Sequence, residues 1–420
     1  MPEQDPKSHS LRIEVTKKMS TASEFYSDSD GFEKPALNRK AFGDELCSQA
    51  DVLSALRSLS EQEPYGTGIR VFEDGGLIAE GQKRVMDNPP VEGESVSQWA
   101  NRLFGDKKFG LVVNSAERYN DELTARIAAW FEDVLEVSGF PVGGLEMVFF
   151  IGNYGYTPFG VHLDRDQATV FHFNLGPGKK TGFVWPKDDY VSLTGSTDFH
   201  FKPEDIIDQA IAHEFGPGDI YAMPSQTYHI ARCDELTVDV AVALVRMSTH
   251  QLADKLVSAF RDDLLKAEED LAIPPIVNWD ADLPSSYTQV ESRLAARSLS
   301  NGKFGQEYLG RLRSNGGFNA PPGPFPMAKD TVPKGKIRAN QPYQMHAVNN
   351  EERTLLFARG YKLDLVASPA LSELILSLNS GILMEFEDAV NTLSQDYEPS
   401  TAVALLRRLV EVRALIWTPA

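Results

Sequence analysis

The 420-residue chain has only two cysteines, Cys47 and Cys233, no CxxC spacing, and no uninterrupted apolar run of the roughly 18 residues a bilayer requires. Those absences exclude a disulfide framework and argue against a cysteine-built zinc site or a membrane span; a reducing, cytoplasmic setting is expected. Residues 1–10 are polar and lack the apolar stretch of a secretory leader. Basic residues are also few, 41 Lys and Arg against 60 Asp and Glu. The resulting formal charge of −19 disfavours nucleic acid and acidic membrane surfaces as partners.

What is present suffices for a folded core, with 42% hydrophobic and 24% charged residues. The length exceeds one ordinary domain, so a core with accessory flanks is expected. Residues 1–30 mix Ser, Asp, Lys and Glu without periodicity and read as a mobile arm. Helical spacing follows over 96–103 and 121–137, where Leu123, Ile127, Trp130, Phe131 and Val134 recur at three- and four-residue steps. From 145 to 245 the pattern changes to short apolar runs, at 146–152, 169–175, 182–185, 219–222 and 237–245. Gly176-Pro177-Gly178 and Gly216-Pro217-Gly218 punctuate them, as in a β-barrel or jelly roll.

After residue 248 helical steps return at Leu252, Leu256, Phe260 and Leu264, and a second helix is expected over 286–298. This region, 249–314, suits either a homodimer interface or an intramolecular bundle. A Pro/Gly-rich connector is expected over 315–340. Beyond it, two strands over 353–365, helices over 368–378, 384–393 and 400–413, and a closing strand over 414–417 look like a winged helix spanning 341–420. Residues 351–420 hold six basic and ten acidic side chains. They lack the basic face that nucleic acid needs, so a protein-binding or dimer-supporting role is expected.

The chemistry-bearing residues are His162 and Asp164, at i and i+2, and His229 further along. On a strand, i and i+2 share a face, so the first two can bind one ion together. A strand ending in the Met223-Pro224 turn would bring His229 back against them. Two imidazoles and a carboxylate leave one side of a metal open, which suits iron(II) binding an oxoacid and dioxygen. Zinc hydrolases use the same donor types. A three-His, one-Glu site is disfavoured, since Asp164 replaces the second His and Arg165, Asp166, Gln167 and Ala168 include no Glu.

The run Gly218, Asp219, Pro224 and His229, in the pattern Gly-Asp-x-x-x-x-Pro-x-x-x-x-His, resembles the second cupin motif of JmjC oxygenases. Residues 32–42 are similar to the entry segment of that family, especially its ribosomal-oxygenase branch, with Phe32 for Trp, Pro35 one place early and Asn38 at an apolar position. The resemblance implies an α+β fold: a double-stranded β-helix (cupin/jelly-roll) core over 31–248 with flanking helices, a helical linker region and a C-terminal winged helix. It implies Fe(II) held by His162, Asp164 and His229, with 2-oxoglutarate as cosubstrate. A basic residue before an apolar strand that ends in an aromatic residue and Pro holds the far carboxylate in that family. That residue is Lys180 here, with Lys179 as the alternative. Hydroxyls complete such a pocket; Tyr154, Tyr156 and Thr157 precede the His-x-Asp pair, and which faces inward is open. His172 and Asn174 are further candidates near it.

The implied activity is hydroxylation of a C–H bond on a protein or peptide side chain. Two rivals stand beside it. The same chemistry could act on a free amino acid or natural-product molecule, for which a closed pocket would speak. A catalytically silent cupin-fold binding protein would have no need of three converging ligands.

Overall fold

The computed structural model describes residues 22–62, 68–164, 168–265, 303–325, 327, 333–349 and 352–420. Its N-terminal unit contains β1 (Ala36–Asn38), β2 (Ile69–Glu73), β3 (Gly76–Leu77) and β4 (Phe109–Val113). Next come β5 (Leu145–Gly152), β6 (Gly155–Tyr156), β7 (Thr169–Pro177) and β8 (Lys180–Pro186). β9 (Ile211–Phe215), β10 (Ile220–Met223), β11 (Thr227–Cys233) and β12 (Thr237–Leu244) complete it. They form an eight-stranded sheet, in the order β1-β10-β7-β12-β5-β4-β2-β3, and a four-stranded sheet, β6-β11-β8-β9. The pairings in both are antiparallel.

Strand alternation decides what each side chain meets. In β5, Leu145, Met147, Phe149 and Ile151 are fully buried in the main core, whereas Glu146, Val148 and Phe150 face a cavity between the sheets. In β7, Phe171 and Phe173 go to the core, and Val170 and His172 to the cavity. β12 divides likewise, with Val238, Val240 and Val242 in the core and Ala241 and Ala243 on the cavity.

The outer face of the large sheet is covered by helices. Helix Asp121–Ser138 starts at Asn120, whose side chain accepts from Leu123 N. It buries Leu123, Ile127, Phe131 and Val134, each contributing about 2 kcal/mol of transfer free energy. The Phe131 ring meets Phe171 edge-on at 5.3 Å and Trp130 meets Phe173 at 5.2 Å. Helix Gln49–Ser60 opens with a capping box between Ser48 and Asp51 and buries Val52, Leu56 and Leu59 on the same core.

The C-terminal unit has its own core. Strands β13 (Gly335–Ala339), β14 (His346–Asn349), β15 (Arg353–Ala358) and β16 (Tyr361–Val366) precede helices Pro369–Asn379, Phe386–Leu393 and Pro399–Glu411. β17 (Met384–Glu385) and β18 (Leu415–Pro419) flank β13, while β14, β15 and β16 make a second small sheet.

Several sequence-based boundaries shift. Helix Ala22–Asp28 lies inside the stretch expected to be a mobile arm, and it buries Phe25 against Phe32 and Phe171. The aromatic side chain outweighs the polar composition around it. The connector expected over 315–340 is pinned at both ends: Leu145 N donates to Gly317 O at 2.8 Å, Asn319 N donates to Leu145 O at 2.9 Å, and β13 belongs to the C-terminal sheet. Helices Thr249–Leu265 and Lys303–Ser314 occupy the expected helical region. The helix expected over 286–298, residues 1–21 of the arm and Arg165, Asp166 and Gln167 lie outside the described residues. No helix among the described residues is long and apolar enough to cross a membrane.

One carboxylate of the N-terminal unit takes two arginines from the C-terminal unit. Asp121 Oδ1 accepts from Arg359 at 2.7 Å, and its Oδ2 accepts from Arg413 at 2.8 Å. Arg359 is 1% exposed, donates to Asn315 Oδ1 at 2.6 Å, and lies 3.5 Å from the Tyr343 ring centroid. Arg359→Met should therefore lower unfolding free energy by on the order of 3 kcal/mol, because it strands Asn315 and half of Asp121. Urea denaturation measures this, and a loss below about 1 kcal/mol would mean that solvent already screens the pair.

Candidate active site

His162 and His229 are 67 positions apart in sequence yet directly opposed in space. His162 N donates to His229 O at 3.1 Å and His229 N donates to His162 O at 2.9 Å, a local antiparallel bridge. The turn ahead of His162 depends on Gly160, at φ +74°, where a Cβ would come 2.7 Å from His200 O. Contrary to the strand expected there, only Val161 and His162 are bridged, and Asp164 follows in a loop with a 36% exposed side chain. The carboxylate still reaches the pair, since Asp164 Oδ1 is 3.6 Å from His162 Nε2 and Oδ2 is 3.9 Å from His229 Nε2.

Both imidazoles are oriented by the backbone. His162 Nδ1 lies 3.0 Å from Gly160 O and His229 Nδ1 lies 3.1 Å from Thr227 O. A carbonyl can only accept, so each ring keeps its proton on Nδ1 and turns Nε2 toward Asp164. Burial, together with the neighbouring His229 imidazole, pushes the His162 pKa down to about 4, against the pull of Asp164. The ring is thus neutral and able to ligate at ordinary pH. Among the described residues, His162, Asp164 and His229 form a group whose ligand atoms lie within 4.8 Å of one another.

The trio opens on a cavity of about 380 Å³, within the range of small-molecule sites. Lys180 is in its wall, 2% exposed, with Nζ 4.7 Å from the Phe150 ring centroid. Lys179, one residue earlier, points out to solvent and pairs with Glu214 at 2.8 Å. Thr157 also lines the cavity, with Oγ1 accepting from Ala231 N at 3.2 Å.

Two expected cosubstrate residues do not line this cavity. Tyr154 packs its ring over Gly110 and Gly152 beside Cys233, and burial holds its hydroxyl well above the usual phenol range. Asn174 spends its amide on Phe215 O at 3.2 Å and Gly178 O at 3.4 Å, and its Oδ1 accepts from Gly176 N at 2.6 Å. It shapes the end of β7. Asp219, in the Gly-Asp step of the motif, is likewise structural. It accepts from Arg39 at 2.8 Å, Lys40 N at 2.9 Å and Gly216 N at 2.8 Å, tying the entry segment to the turn before β10.

Sequence reading missed Asp239 and Arg70. Asp239, fully buried on β12, accepts from Lys180 Nζ at 2.6 Å and faces His172 Nδ1 at 2.7 Å. Its signal was a lone acid inside the otherwise apolar run Thr237–Leu244. Burial works against its charge, but the Lys180 ammonium and His172 outweigh it and hold the carboxyl below its usual range. Arg70, on β2, reaches the cavity and lies 4.8 Å over the Phe159 ring.

The two facing sheets and the cavity between them form a cupin-like core of the double-stranded β-helix type, and this fold has solved neighbours. An X-ray structure of Escherichia coli YcfD matches with a TM-score of 0.50 and 17% identity, covering 94% of this chain and 97% of that one. A structure of YcfD described as a ribosomal oxygenase in complex with cobalt and succinic acid matches with a TM-score of 0.52 and 16% identity, covering 95% and 99%. At these identities the likeness is one of fold. No family model and no curated protein matches the chain.

Replacing His162 or His229 by Ala should abolish Co(II) binding, leaving two donors. Asp164→Asn should weaken it at least tenfold while keeping the two imidazoles. Visible Co(II) absorption under titration reads both outcomes, and unchanged binding in His229→Ala would remove His229 from the metal set.

Proposed function

We propose that the chain is an iron(II)- and 2-oxoglutarate-dependent oxygenase that hydroxylates a C–H bond on a protein or peptide side chain. The observation that carries this reading is the convergence of His162, Asp164 and His229 at one cavity whose wall also presents the buried cation Lys180. The donor set fits iron(II), because two imidazoles and a carboxylate on one side leave positions for an oxoacid and dioxygen. The iron, when bound, supplies the oxygen-activating chemistry.

This chain's own residues do the rest. Lys180 meets the far carboxylate of the oxoacid, and Thr157 lies on the same wall. Val148, Phe150, Ala168, Val170, Ala241 and Ala243 keep the enclosed part apolar, so water is excluded around the reacting atoms. The acceptor enters past Asp164 and Phe199, the half-exposed side of the cavity. Exposed Phe199 and Phe201 beside that entrance favour a polypeptide, which can cover them, over a free small molecule. The acidic C-terminal unit, in this reading a winged helix, serves protein contact.

Anaerobic addition of Fe(II) and 2-oxoglutarate should give the weak visible charge-transfer band of the chelate in the wild type and none in His162→Ala. Lys180→Ala should retain the metal but raise the 2-oxoglutarate concentration for half-saturation by at least tenfold, the worth of a charge-assisted contact of about 1.5–3 kcal/mol. Bound iron without a band would overturn the 2-oxoglutarate assignment.

A further inference from the structure

We propose that His172 is a second, proton-dependent donor for the far carboxylate of the oxoacid, with buried Asp239 as the fixed counter-ion that couples this binding to uptake of one proton. The inference rests on the 2-oxoglutarate reading and deepens it.

One oxygen of Asp239 serves two partners: Oδ2 is 2.6 Å from Lys180 Nζ and 2.7 Å from His172 Nδ1, while Oδ1 is buried without a partner among the described residues. Asp239 is fully buried and stands behind Lys180 and His172, which line the cavity at 2% and 8% exposure. The pairing of β12 with β7 shifts register at this carboxylate, between Val238 and Asp239. Asp239 therefore positions both neighbours and contacts no ligand itself.

The charges in this corner can be counted. Lys180 and Asp239 cancel, so an arriving carboxylate leaves an uncompensated negative charge in an enclosed, largely apolar end of the cavity, where such a charge is costly. The groups facing His172 offer one remedy. From β5 it meets the Phe150 ring, from β9 the Phe215 ring and from β10 the Tyr221 ring, whose hydroxyl burial keeps neutral. His213 lies beyond Tyr221, at 5.3 Å from that ring, and Cys233 of β11 and Tyr154 lie toward Lys180 and Asp239. Among the described residues facing His172, the carboxylate is Asp239 on β12 and the ammonium is Lys180 on β8.

His172 holds Nδ1–H against Asp239 Oδ2, which leaves Nε2 as its second functional edge. Protonation there turns an acceptor into a donor and makes the set neutral: two cations, Asp239 and the ligand carboxylate. A 2-oxo acid without a far carboxylate brings no charge to this corner and requires no proton. Imidazole is the side chain suited to such a change between pH 5 and 8.

The test uses the full chain loaded anaerobically with Fe(II). Binding of 2-oxoglutarate and of 2-oxobutyrate is followed by the charge-transfer band from pH 6 to 8.5. Both ligands share the metal and its ligands, so their affinity ratio isolates the far end. The preference for 2-oxoglutarate should fall as pH rises, approaching tenfold per unit where one proton is taken up, and His172→Gln should flatten that slope. Asp239→Asn should strengthen 2-oxoglutarate binding at pH 8, and where that variant does not fold, His172→Gln decides alone. A wild-type preference that is constant with pH overturns the inference and leaves the 2-oxoglutarate reading intact. Iron binding with no band for either acid overturns that reading and the inference with it.

Discussion

Each central strand of the large sheet is buried on both faces, and the two faces meet different materials. One side packs on a helix layer built around Phe131, Trp99 and Leu56, and the other walls a cavity lined by polar His172 as well as apolar side chains. The two-residue period of a strand is the constraint that keeps these apart. A slip of one residue in β7 would put Phe171 in the cavity and His172 among the aromatics. Register therefore decides which side chains line the cavity, and the ladder from β5 through β12 and β7 to β10 holds it.

Within that frame the site divides into two ends with different logic. At the mouth, two histidines meet across an isolated β-bridge, their Nδ1 atoms committed to carbonyls two residues upstream, with a looped carboxylate closing the set. At the closed end, a lysine and a histidine share one aspartate oxygen. The first end is open to ligands by geometry. The second is nearly closed to solvent, with Lys180, His172 and Asp239 all buried.

Much of this was legible in the sequence where one physical signal acted alone. The helix over 121–137 and the short strands between Gly-Pro clusters follow from period and turn chemistry, and the structure has them within a residue or two. Lys180 and Lys179 could be separated only by parity, which Gly176, Pro177 and Gly178 obscure. Tyr154 and Asn174 failed because their proximity to the motif is sequential; their side chains serve turns and packing instead of the cavity. Asp164 reached the site from a loop, a placement that an i, i+2 argument does not contain. Asp239 lay 75 residues from Asp164 in an apolar run, and its meaning depended on which strand β12 pairs with.

Asp121 caps this arrangement at a different scale. It sits in the first turn of the helix that supports the large sheet, and it answers guanidiniums from two places in the C-terminal unit, Arg359 after β15 and Arg413 before β18. Asn315 and the Leu145–Phe318 bridge stitch the same seam. The C-terminal unit is consequently a poor module for exchange. A donor unit grafted in its place would have to present two arginines to that one carboxylate.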